Sequence, residues 1–380
     1  MHPQQHSAAL FFLLTVSLVS SATVADENTA KDSKAKATTT AGRTTAEVVE
    51  FPLAWPGEGS PSTHELAYNP RGGREFWVTG QTHDHIARVS LDGTAEFFAM
   101  PPGSRPHGIQ FDASGQLWVS LEFHGLVARI DSSGKIVQQI DIRMNVAGAK
   151  QPINPFPHGL GLDADGRTLC FTGKKTSTIG RINPDGSVEH FELPTIGAVP
   201  IYLATGWDGN IWCTELVGNR IARITPQGQV TEFDIPTPNS RPIAVVAGPD
   251  GRSMWFSEEA GNKVGRIDAD DCLTEFAIPM TQKNAILAGM AFDSEGHLWT
   301  HSYVNRNSPL PAGADYIIRV DRSIQQAEDG DLSGIPVTYF RVPSAGTVMH
   351  RILAGPDGNI WFTELGLDKL GRLTMHPQKQ

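Results

Sequence analysis

Residues 354–373 read AGPDGNIWFTELGLDKLGRL, which is a turn, an apolar strand around Trp361, a second turn and another apolar strand around Arg372. The Arg-centred strand recurs as IARV (86–89), VARI (127–130), IGRI (179–182), IARI (221–224), VGRI (264–267) and IIRV (317–320), with LGRL (370–373) the seventh copy. About ten residues before each copy stands the Trp361-type strand: FWVTG, LWVSL, LCFTG, IWCTE, MWFSE and LWTHS. Six of the eight tryptophans fall in that column, and Cys170 takes the place of a seventh. A short apolar strand and a turn precede the Trp column, and an alternating segment such as VTEFDI (230–235) follows the Arg column. Four short strands per repeat of roughly 42 residues is the pattern of a β-propeller blade, so the reading is all-β with seven blades. The last copy is followed only by TMHPQKQ, and the missing outer-strand type appears at the other end as VVEFPL (48–53). That N-terminal strand is expected to complete the last blade and close the ring, covering an open sheet edge.

Composition narrows the remaining possibilities. The chain has 380 residues, 39% hydrophobic and 19% charged, with 38 glycines and 26 prolines, which suits a turn-rich globular domain. A net charge of −10 with no basic cluster excludes a nucleic-acid surface. Residues 1–25 lack Lys, Arg, Asp and Glu and contain the apolar run LFFLLTVSLV (10–19), which predicts a cleaved export signal and a secreted or periplasmic protein. No later run reaches the roughly 20 apolar residues of a membrane span. Residues 26–46 are polar and low in complexity, a disordered linker by composition, and the propeller is expected over 47–375, as a monomer. Cys170, Cys213 and Cys272 are odd in number and read as small buried hydrophobes with no disulfide framework.

In a repeat protein, function is sought where one blade departs from the others. The Trp column, the Arg column and the Glu215, Glu258, Glu364 column read as packing and hydrogen bonding between blades. About eleven residues before each Trp-column position stand His64, His107, His158, Ile201, Ile243, Ala288 and His350. These positions open each inner strand at one mouth of the channel, so blades seven, one, two and three place four histidines on one continuous arc, as candidate catalytic groups. Neighbouring loops on the same face add His83, His85, His124, Lys174 and Lys175, with His301 and Tyr303 from blade six. Glu122 lies four residues past Trp118, where the structural glutamates lie three past, and alternation aims it differently. A histidine arc with one carboxylate suits proton transfer beside a divalent cation or a multi-histidine metal site, with Glu122, His83 and His124 as candidate ligands.

The segments PHGI, AGPDGNIWFTE, NKVGRI and VTEFDIPTPNSRP resemble those of the virginiamycin B (streptogramin) lyases over all seven blades, from about residue 47 to 373. The resemblance implies elimination that opens a cyclic depsipeptide ester, with a histidine base and a magnesium ion held by two glutamates. Against the family's Glu-Pro-His pattern, Arg105-Pro106-His107 and Glu122 match with Arg105 in the first glutamate's place, and His64 takes the preceding-blade histidine's position. A second alignment makes His158 the base and puts Lys174 in the other glutamate's place. Arg105, Lys174 and Tyr303 are then candidates to contact a small-molecule or cyclic-peptide substrate, and a histidine in place of the lost carboxylate favours a softer metal such as zinc. Two further readings stay open: a metal-dependent lactone hydrolase, and a binding propeller without chemistry.

Overall fold

The computed structural model describes residues 45–376. The expected export signal and all of the 26–46 linker except Thr45 and Ala46 lie outside the described residues. The seven-blade expectation is met: seven four-stranded antiparallel sheets follow one another along the chain. Their inner strands are Thr63–Tyr68, Pro106–Phe111, Pro157–Leu162, Pro200–Thr205, Pro242–Ala247, Ala285–Phe292 and Met349–Ala354. Each packs against the inner strand of the next blade, and Met349–Ala354 packs against Thr63–Tyr68, so the ring closes. The seventh sheet takes its outer strand from the N-terminus, with Thr45–Pro52 antiparallel to Lys369–His376 and Thr45 opposite His376.

The repeat columns are explained by one packing unit. The tryptophan of the second strand stacks on a phenylalanine of the outer strand, as in Trp212–Phe233 (5.4 Å), Trp255–Phe276 (5.6 Å) and Trp361–Phe51 (5.7 Å). The arginine of the third strand lies over both rings, at 5.3 and 5.2 Å for Arg223 and 5.5 and 5.4 Å for Arg372. Each such stack adds about 0.5–1.5 kcal/mol beyond the area it buries. The guanidinium then reaches the following blade, from Arg88 to the Ser132 carbonyl (3.0 Å) and from Arg181 to the Pro226 carbonyl (2.7 Å). Where Cys170 replaces tryptophan, Arg181 is buried and pairs with Asp163 at 3.0 Å.

Glu215, Glu258 and Glu364 are buried, and their carboxyl oxygens have no hydrogen-bond partner among the described residues. Burial, with Glu232, Glu275 and Glu50 nearby, pushes each up to about 8, so all three are mostly neutral at pH 7. One cysteine departs from expectation. Cys170 and Cys213 are buried, but Cys272 is exposed, because its backbone closes a surface turn onto the Asp268 side chain.

Candidate active site at the channel mouth

Each inner strand opens with a β-bulge. The register shifts between Thr63 and Leu66, between Pro106 and Ile109, between Pro157 and Leu160, and at the equivalent place in the other four blades. Two consecutive residues are thus released from the ladder at the mouth. The approach to the strand is strained at the same place in five blades, since Arg105, Phe156, Val199, Arg241 and Val348 all have φ between 48° and 58°.

Two residues past the Trp position, six blades carry a Ser or Thr that accepts from the bulge, and five of these also donate to the next blade. Thr79 Oγ1 accepts from the Glu65 N–H (3.1 Å) and donates to the His107 carbonyl (2.9 Å). Thr172 accepts from Gly159 N–H (2.8 Å) and donates to the Ile201 carbonyl (3.0 Å), and Thr363 links Arg351 N–H (2.9 Å) to the His64 carbonyl (2.8 Å). The glycines beside the histidines permit this close approach: a Cβ on Gly108 would stand 2.4 Å from the His158 oxygen. In blade six the hydroxyl is replaced by His301, whose two ring nitrogens lack partners among the described residues. Its Nε2 would be 3.0 Å from a Cβ on Gly289, and burial, then His350, pushes its pKa down to about 3.

The four histidines of the arc do come together. Their rings follow one another as His350, His64, His107 and His158, with centroids 3.8, 4.0 and 3.6 Å apart. His107 Nε2 is 3.2 Å from His64 Nε2, and His107 Nδ1 is 3.0 Å from the His158 carbonyl. His64, His107 and His158 are 7%, 1% and 5% exposed. Burial holds all three well below the usual imidazole range, His64 at about 4, with neighbouring histidines and Lys174 adding to it. These three imidazoles are therefore neutral at pH 7.

Sequence reasoning missed Glu65, Tyr202 and Arg351. They occupy the position after the histidine column, where alternation predicts a side chain facing away and the bulge suspends that alternation. The available signal was that the same column elsewhere holds only Gly108, Gly159, Ala244 and Gly289. The Glu65 carboxylate accepts from the Tyr202 hydroxyl and lies 3.2 Å from His350 Nδ1, 3.4 Å from His64 Nδ1 and 3.6 Å from Arg351 Nε. Burial alone would raise this carboxyl, but the neighbouring His350 and His64 with the Arg351 guanidinium hold it well below the usual range. Tyr202 also meets His350 Nδ1 at 2.9 Å.

At the rim, Glu122 is buried and already engaged, with Lys174 Nζ at 3.1 Å and Gln81 Nε2 at 2.7 Å. Burial raises its pKa although Lys174 opposes this. Arg105 rests over Phe123 (5.6 Å). Blade five shows what the same two positions do when both are filled in this way: Arg241 pairs with Glu259 at 2.8 Å, and the Tyr303 hydroxyl donates to Glu259 at 3.2 Å. Tyr303 thus serves the opposite arc. His83 Nε2 meets Asp368 (3.0 Å) while its ring stacks on Trp55 (5.7 Å). His124 sits half-buried in the turn after Leu121. No group of three His, Cys, Asp or Glu side chains with metal-ligand spacing includes Glu122 among the described residues. A magnesium ion between two carboxylates does not fit here, because one carboxylate is Arg105 and the other is neutralised by Lys174.

A model of the virginiamycin B lyase family matches residues 36–308. The chain belongs to the virginiamycin B lyase family. A virginiamycin B lyase of Nocardia farcinica is 31% identical over 181 residues, 47% of this chain and 57% of the relative, so the match spans little more than half of that protein's length. A streptogramin B lyase structure shares the fold with a TM-score of 0.72 at 22% identity, over 87% of this chain and 98% of the other. Virginiamycin B lyase from Staphylococcus aureus superposes with a TM-score of 0.71 at 27% identity, covering 87% and 100% of the two chains. A catalytically inactive histidine-to-alanine variant of that enzyme, solved with quinupristin, gives a TM-score of 0.70 at 26% identity over the same shares.

Proposed function

We propose that this virginiamycin B lyase family member is an exported carbon–oxygen lyase that opens a cyclic ester, of the cyclic-depsipeptide class, by elimination. The observation that carries the reading is the row of imidazoles ending at the buried, neutral His158, for which Lys174 is the foremost neighbouring charge. Of the two candidate bases, His107 has both ring nitrogens engaged, one by His64 and one by the His158 carbonyl, and it acts as a positioning residue. His158 makes no side-chain hydrogen bond among the described residues, and since its Nδ1 is sealed from solvent, Nε2 is the ring nitrogen left to act. His158 takes the proton from the carbon alpha to the ester carbonyl. The C–H electron pair becomes the new Cα=Cβ bond, the Cβ–O bond breaks, and the ester leaves as a carboxylate. Lys174, held by Glu122 and more than a third exposed, meets the negative charge that develops on the carbonyl oxygen.

The test is incubation with a type B streptogramin and measurement of the product mass. Elimination leaves the mass unchanged; a gain of one water would replace this reading with the lactone hydrolase. His158→Ala is expected to abolish turnover and Lys174→Met to lower kcat by about 10²–10³-fold, as for loss of one oxyanion donor. A second reading, a binding propeller, is favoured by the burial of the imidazoles and the pairing of both rim carboxylates; saturable binding without conversion would establish it. Export is tested separately by fractionating cells that express the full chain.

A further inference from the structure

The proton accounting around His64 leaves a gap. The His158 carbonyl can only accept, so His107 carries its proton on Nδ1 and presents a lone pair at Nε2. His64 Nε2, 3.2 Å away, must therefore donate, which puts the lone pair of a neutral His64 on Nδ1. That lone pair faces a carboxylate oxygen of Glu65 at 3.4 Å, and the same oxygen lies 3.2 Å from His350 Nδ1. Acceptor facing acceptor in a buried site is unfavourable unless a positive charge stands between them.

We propose that His64, Glu65 and His350 hold a divalent d-block cation of the zinc type. They form the one group of three ligand-type side chains among the described residues whose donor atoms all lie within 4.8 Å of one another. Donors about 2.0–2.2 Å from a tetrahedral zinc are separated by about 3.3–3.5 Å, and the two measured separations here, 3.2 and 3.4 Å, suit that geometry. Two imidazoles and a carboxylate favour zinc, cobalt or nickel over magnesium. With a cation on Nδ1, His64 donates from Nε2 to His107, and His107 donates to the His158 carbonyl, which is the outer hydrogen bonding that orients metal-bound histidines. Arg351 lies 3.6 Å from the other Glu65 oxygen, and the Tyr202 hydroxyl, which meets the cation-facing oxygen and His350 Nδ1 (2.9 Å), would stand beside the cation. This site is distinct from Glu122 and does not depend on the substrate.

The experiment uses untagged protein stripped with a chelator, exposed to zinc, cobalt or magnesium chloride, desalted, and analysed for metal by mass spectrometry. One equivalent of zinc or cobalt and none of magnesium is expected in the wild type and in Glu122→Gln, with loss of the metal in Glu65→Gln and His350→Gln. The cobalt form should show the strong visible bands of four- or five-coordination, a readout on the wild type that stands even where a variant fails to fold. No bound equivalent in the wild type, retention in both site variants, loss in Glu122→Gln, or a weak octahedral cobalt spectrum would each overturn the site. Metal content is read without substrate, so its failure and failure of the lyase reading are separate results.

Discussion

The two arcs of the channel mouth share a backbone and differ in side chains. Blades seven, one, two and three present His350, His64, His107 and His158, whereas blades four, five and six present Ile201, Ile243 and Ala288 at the same bulge. The hydroxyl that braces the bulge is common to both arcs, with Thr214 joining Tyr202 N–H (3.2 Å) to the Ile243 carbonyl (2.9 Å) as Thr79 does for Glu65 and His107. Their buried carboxyls are also of two kinds. Glu215 and Glu258 recur, lack partners and are mostly neutral, while Glu65 is unique to blade one, ringed by Tyr202, Arg351, His350 and His64, and ionised. The repeat supplies the frame, and chemistry enters where a position in the frame is filled differently.

The largest effect should come from removing the unique charge. In metal-free protein, Glu65→Leu leaves Arg351, the Tyr202 hydroxyl and His350 without their buried acceptor, and unfolding by urea should show a loss of about 3–5 kcal/mol. A loss below about 1 kcal/mol would mean that the polar arc is no more interdependent than the apolar one. Next come the braces. Thr172→Val leaves the Gly159 N–H and the Ile201 carbonyl unpaired, and Ser257→Ala leaves the Ala244 N–H, so each should cost about 1–3 kcal/mol. Only Thr172→Val, next to His158, should also lower turnover; equal losses of activity in both variants would erase the functional difference between the arcs.

Much of this frame is legible in the sequence, because tryptophan, arginine and phenylalanine recur at the spacing their stack requires, and the orphan strand type at 48–53 closes the ring. The four histidines are legible for the same reason, being departures within a countable column. Glu65, Tyr202 and Arg351 are not, because a bulge breaks the alternation by which facing is inferred. The partner of His83, Asp368, is not legible because it lies at the other end of the chain, and His301 reads as a face residue although it fills a hydroxyl's place in the braces.

The neutral carboxyls of the frame give a pH signature. Glu215 stays protonated to about pH 8 in the fold, while the unfolded chain releases that proton near 4.5. The folded state therefore binds the extra proton, so this contribution to stability is full below about pH 4.5, declines as pH rises, and is gone above about pH 8. Glu215→Gln removes the titration. Unfolding free energies from urea titrations between pH 5 and 8.5 should fall less steeply in the variant, by at most about 1.4 kcal/mol per pH unit. Parallel curves would mean that Glu215 is ionised in the fold.

The smallest effects on stability belong to the rim, where each arc has one ion pair. Lys174 and Arg241 are 39% and 43% exposed, and exposed cations of this kind contribute about 0–1 kcal/mol. Lys174→Gln should remain within that range even though Glu122 is buried, because burial already favours the protonated carboxyl and the group left behind takes up a proton instead of remaining as a bare charge. Arg241→Gln should cost no more. The two variants should separate only in turnover, which falls with Lys174→Gln and is kept in Arg241→Gln. A fall in both would mean that the substrate spans the whole mouth, and that the apolar arc belongs to the site.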